Sequence, residues 1–132
     1  MTLENYEIEI EDGLVFKTSM TLNENIQEIE DFTDDKSYKM SRAADDYIDL
    51  VEAELSERLA AHGLKITYRD ESRQSKSVYF RIAKSDDEDC VDPMPVRFSD
   101  HTDNYGSARV NIWWGGSIED MVQAILEGFA KW

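Results

Sequence analysis

The stretch Phe98-Ser99-Asp100-His101-Thr102-Asp103 holds the densest group of side chains able to do chemistry. Asp100, His101 and Asp103 offer metal-ligand atoms at the end of an expected strand, and Asp89 and Asp92 could reach them from the preceding loop. A metal-dependent nuclease needs several carboxylates converging on one ion. The same residue types are ordinary turn formers, so a plain turn is the competing account and no metal ligand is assigned. Cys90 and His101 would make a thiol nucleophile with its base, but they lie in separate segments and no third group orients the ring. Ser117 after Gly115-Gly116 could turn backbone N–H groups toward an anion, and simple helix capping explains the same residues. None of these groups assigns a reaction, and the chain is expected not to be an enzyme.

A second group depends on which way strands face. Side chains alternate along a strand. If Val78, Phe80 and Ile82 point inward, Tyr79 and Arg81 point outward; Val96 and Phe98 inward sends Arg97 out. Val110, Ile112 and Trp114 inward sends Arg109, Asn111 and Trp113 out. Lys65, Thr67 and Arg69 would join them. A face carrying Tyr79, Arg81, Arg97, Arg109 and Trp113 suits stacking on bases, an acidic partner or a homodimer. Cross-strand pairs that merely stabilise an exposed sheet would look the same.

The third group is acidic. The chain has 29 acids against 14 bases, a formal net charge of −15. Residues 1–63 hold 17 acids and 5 bases, and residues 85–106 hold 7 and 1, whereas residues 64–84 hold 6 bases and 2 acids. Six acids lie between Asp45 and Glu57 on one expected helix, roughly one charge per 3 Å of axis at about 1.5 Å rise per residue. Duplex DNA carries one per about 1.7 Å. Asp45, Asp46, Asp49 and Glu52, with Asp86, Asp87, Glu88 and Asp89 in a later loop, are the candidate contacts for a basic partner. Solubility alone would also explain such a surface.

Positioning these groups requires a small set of elements. Tyr6–Ile10 alternates as a half-buried strand, Asp12-Gly13 is a strong hairpin turn, and Leu14–Thr18 returns, with Glu7, Glu9 and Glu11 on one outer face. Asn23 would cap a short helix to about Phe32. The chain is organised around a long helix from near Lys36 to His62, with Ala44, Tyr47, Ile48, Val51, Leu55 and Leu59 on one stripe and Gly63 at its end. Strands are expected at 64–68, 77–82, 95–99 and 107–114. A last helix opens at Ser117, with Ile118, Met121, Val122, Ile125, Leu126 and Phe129 inward. The fold class is α+β: an antiparallel sheet of about four to six strands with the long acidic helix and the C-terminal helix packed on one face. At 132 residues, 41% of them hydrophobic, a single domain over 1–132 with a real core is expected.

One cysteine excludes an internal disulfide and fits a reducing compartment. Met1 is followed by neither a basic region nor an apolar run, so the expected location is the cytoplasm of a bacterial cell. The charge argues against direct binding of nucleic acid or an anionic membrane. In size, charge and the runs Asp34-Asp35, Asp45-Asp46 and Asp86-Asp87-Glu88-Asp89, the chain resembles the acidic DNA-mimic inhibitors that phages and mobile elements direct against restriction and CRISPR nucleases. The likeness is compositional. It implies a basic nucleic-acid-binding partner such as a nuclease or effector complex, no cofactor and no catalysis, and it implies no architecture. Arg81, Arg97 and Arg109 depart from a uniformly anionic surface.

Overall fold

A computed structural model describes residues 3–72, 76–102 and 106–132. The elements are β1 (Glu7–Glu11), β2 (Leu14–Lys17), α1 (Leu22–Gln27), α2 (Asp34–Ala60), β3 (Leu64–Glu71), β4 (Ser77–Lys84), β5 (Met94–Ser99), β6 (Val110–Trp113) and α3 (Ile118–Ala130). The fold is α+β, as its residue pattern implies. The strands form two sheets, a β1–β2 hairpin and a four-stranded sheet in the order β3-β4-β5-β6.

One part of the expected architecture is corrected. The larger sheet is mixed: β3, β4 and β5 are antiparallel, but β5 and β6 run parallel, with Val96 opposite Val110 and Ser99 opposite Trp113. The end of β5 at Ser99 and the start of β6 at Val110 therefore lie at opposite ends of the parallel pair. Parallel neighbours need a crossover, usually a helix. Here no helical periodicity announces it.

The helix ends follow local chemistry. Thr33, not a residue near Lys36, caps α2, its hydroxyl accepting from Lys36 N at 3.1 Å, and Asp34 and Asp35 sit at the positive end of the dipole. Gly63 follows α2 in the left-handed region, with φ of 74°. The short helix begins two residues earlier than expected. Thr21 and Glu24 form a reciprocal capping box, which leaves Asn23 inside the first turn. Ser117 caps α3 through Asp120 N at 3.1 Å.

The buried stripe of α2 is the expected one, extended to Met40. It packs between the hairpin and the inner face of the large sheet, where Phe80, Ile82, Val96 and Phe98 are fully buried. Tyr47 stands at the centre. It stacks on Tyr6 at 5.0 Å and meets Phe16, Phe98 and Trp114 at 6.1, 6.3 and 6.0 Å. Its hydroxyl donates to the Trp114 carbonyl. Trp114 is itself fully buried, and its ring N–H donates to the Met20 carbonyl at 3.2 Å. Gly115 follows because nothing larger fits: an added Cβ would lie 2.6 Å from the Thr18 carbonyl oxygen.

Burial pushes the Tyr47 phenol well above the ordinary tyrosine value of 10. The neutral form is thus the one the fold holds. Its contribution is complete below the unfolded value near pH 10 and is lost as pH rises past it toward the folded value. Tyr47→Phe is expected to cost about 1–2 kcal/mol at neutral pH, from the stranded Trp114 carbonyl. Denaturant titration at pH 7 and again above pH 10 should show the wild type losing its advantage over this variant in alkali.

Candidate functional site

The structure divides the three groups of candidate residues sharply. Asp100 is a structural residue. Its side chain is buried, and Oδ2 accepts from Leu22 N at 2.8 Å, the first residue of α1. A carboxylate there satisfies an orphan N–H and faces the positive end of a helix turn. His101 Nε2 lies 3.4 Å from the other oxygen, an ion-pair distance when the ring is protonated. Asp89 and Asp92 stand before β5 and Asp100 after it. Five strand steps separate Met94 from Ser99, about 17 Å at 3.4 Å each, so these loops do not converge. Cys90 likewise stands before β5 and His101 after it. Asp103 lies outside the described residues. Among the described residues no group of three or more potential ligands is placed to hold a metal ion.

Asn25, which carried no signal in the sequence beyond its polarity, completes the same anchor. It is buried, and its amide pairs with both backbone groups of Lys17: Oδ1 accepts from the N–H at 2.9 Å and Nδ2 donates to the carbonyl at 2.8 Å. Asn25 and Asp100 together fix α1 between the hairpin and the end of β5.

The outer face of the large sheet carries the expected residues with one correction. Tyr79, Arg97 and Asn111 stand side by side across β4, β5 and β6. Arg97 is buried rather than displayed, because it lies in the middle of that row on an interior strand. Its Nη2 reaches Ser77 Oγ at 3.5 Å, Ser77 and Ser99 share a 2.7 Å hydrogen bond, and His101 N donates to Ser99 Oγ at 3.1 Å. A hollow of about 90 Å³ lies over Arg97, Ser99, His101, Asn111 and Trp113, room for a few water-sized groups. Tyr79, Arg97 and Asn111 each make further interactions. This row is an interacting polar layer and not an open face. Arg81 and Arg109 are exposed, and Trp113 is half-buried.

The acidic group is rearranged by two β-bulges. The β3–β4 register slips between Ile66 and Tyr68, so that Arg69 stands opposite the inward-facing Phe80. The extra residue reverses the parity of the strand beyond it. Arg69 is thereby turned off the outer face, where alternation places it, and onto α2. There it meets Asp49 at 2.7 Å, Glu52 at 2.6 Å and Glu71 at 2.7 Å. Partial burial works against its charge, and the three carboxylates more than compensate, so its pKa rises above the ordinary value. The β1–β2 register slips in the same way between Glu9 and Glu11. Glu11 leaves the outer row and pairs with Lys39 at 2.9 Å, which also holds Asp35 at 3.1 Å.

Three of the four helix candidates are therefore ion-paired: Asp45 to Lys76, and Asp49 and Glu52 to Arg69. Asp46 is exposed at the edge of a groove between α2 and β1. Asp86, Asp87, Glu88 and Asp89 are all exposed, and no cation pairs with them among the described residues. They lie beyond the C-terminal end of α2, where Ser85 N donates to the Gly63 carbonyl at 2.8 Å.

No protein-family model, curated protein or solved structure matches the chain. No helix among the described residues is long and apolar enough to cross a membrane.

Replacing Asp100 with Ala should destabilise the protein by about 1–3 kcal/mol, since a partly buried N–H loses its partner. Amide exchange should accelerate over Leu22–Gln27 before it does in α2. Uniform acceleration across both helices would mean that Asp100 is not the local anchor.

Proposed function

We propose that this chain is an acidic protein–protein inhibitor or adaptor. It docks on a basic nucleic-acid-processing partner by presenting carboxylates where that partner expects phosphates. The observation that carries this reading is the run Asp86–Asp89, four consecutive exposed acids that form no ion pair among the described residues. The helix supports it less directly. One guanidinium is shared by three carboxylates at Arg69, so that cluster keeps a net charge near −2. The ion pairs thus hold a negative surface in shape without cancelling it. On the hairpin, Glu7 and Glu9 remain exposed and add to it. Attraction of this kind speeds encounter and fades with salt, over a screening length of about 10 Å at 0.1 M.

The partner class rests on the resemblance to phage anti-restriction and anti-CRISPR proteins. It is tested by competition. A host nuclease or effector captured at low salt should be released by duplex DNA and by raised salt. Reversing the loop charges, Asp86, Asp87, Glu88 and Asp89 each to Lys, should cut retention by about tenfold or more. Undiminished capture by that variant would remove the loop from the contact surface. Capture indifferent to DNA would remove mimicry.

A second reading, a binding or homodimerisation module on the outer sheet face, is favoured by one feature. Tyr68 is 57% exposed and stands opposite exposed Arg81. Arg81→Glu with Trp113→Ala should then abolish self-association in sedimentation, while loop charge reversal leaves it intact.

A further inference from the structure

The hairpin presents an open strand edge beside an apolar groove. Thr18 N donates to the Tyr6 carbonyl at 2.9 Å, which makes Tyr6 and Thr18 a hydrogen-bonded pair. Such pairs alternate along an antiparallel ladder. Ile8 therefore bonds across to Phe16, and the backbone N–H and C=O of Glu7 and Glu9 point away from β2. Among the described residues no strand pairs with that edge. On the face toward α2 lies a groove of about 500 Å³ whose lining is mostly apolar, from Tyr6, Ile8, Ile10, Ala43, Tyr47 and Leu50, with Glu9, Lys39, Arg42 and Asp46 also bordering it. Ile8 is 44% exposed there, on a strand whose neighbours are charged.

From these features we infer that β1 accepts an extended segment of a basic partner as an added strand. The segment alternates basic and apolar residues. Its apolar side chains enter the groove, and its basic side chains stand beside Glu7 and Glu9 on the opposite face, as the period of two requires. Charge selects this occupant. The four carboxylates of the hairpin, with Asp35 and Asp46, outnumber Lys17, Lys39 and Arg42 around the edge. Charge also rejects a second copy of this chain. The residues whose backbone is free are Glu7 and Glu9, so any symmetric antiparallel pairing sets a glutamate opposite a glutamate, which is destabilising. This inference rests on the basic partner proposed above and adds where, and in what conformation, that partner is held.

The test uses the full chain with two capped peptides of about seven residues, the length of a typical strand. One alternates lysine and valine; the other has the same composition in two blocks. The alternating peptide should bind about tenfold tighter or more, and it should slow amide exchange at Glu7 and Glu9. Glu9→Pro removes an N–H that β2 does not use, as edge strands tolerate, and should abolish the preference while leaving the thermal midpoint near that of the wild type. Equal binding of both peptides would overturn the added strand and leave the charge-based reading standing. Full binding by Glu9→Pro, or unchanged exchange at Glu7 and Glu9, would overturn it too. So would a dimer that dissociates on this substitution, since the edge would then belong to a second copy. Should Glu9→Pro unfold the hairpin, exchange in the wild type decides alone.

Discussion

The Tyr47 hydroxyl and the Trp114 carbonyl join two parts of the chain that lie 67 positions apart in sequence. Tyr47 comes from the middle of α2, and Trp114 from the turn between β6 and α3. Around them Tyr6 and Phe16 bring in the hairpin, and Phe98 brings in the centre of the large sheet. A backbone carbonyl buried among aromatic rings costs dearly without a partner. A tyrosine is well suited here because one side chain fills the space and supplies the donor. The hairpin, the long helix and the large sheet are positioned relative to one another by this cluster, so both candidate surfaces inherit their geometry from it.

The second organising device is electrostatic. Residues 1–63 would repel one another if left as a bare acidic surface. Each sheet solves this locally with one extra residue. The bulge in β3 turns Arg69 onto α2, and the bulge in β1 turns Glu11 onto Lys39. In both cases a charge that simple alternation would send to solvent is brought between a strand and α2. The partners are partly exposed, so each pair contributes modestly to stability. Their greater effect is to fix where the uncompensated acids stand.

Much of this was legible in the residues. The stripe from Ala44 to Leu59, the Asp12-Gly13 turn, Gly63 and the Ser117 cap each follow from spacing or backbone preference, and each stands where those rules put it. What alternation could not reveal is where it breaks. Thr67 and Ile10 look like ordinary strand residues, yet each shifts its register and reverses the side chains beyond it. Simple alternation therefore places Arg69 and Glu11 on the wrong face. The buried state of Arg97 depends on its neighbours in three strands, and the capping role of Asp100 depends on a helix 78 positions earlier. Both are long-range facts with no local signature. The parallel return from β5 to β6 was hidden for the same reason.

The crossover and the clasp on Trp114 also govern the order of assembly during synthesis. The hairpin, α1 and α2 emerge first, but the carbonyls that receive Asn5 N and the Tyr47 hydroxyl belong to Gly115 and Trp114. A nascent chain lacking those residues exposes the aromatic faces of Tyr6, Phe16 and Tyr47 on a strongly acidic stem. Like charges on such stems oppose their close contact, within the roughly 10 Å that salt leaves unscreened.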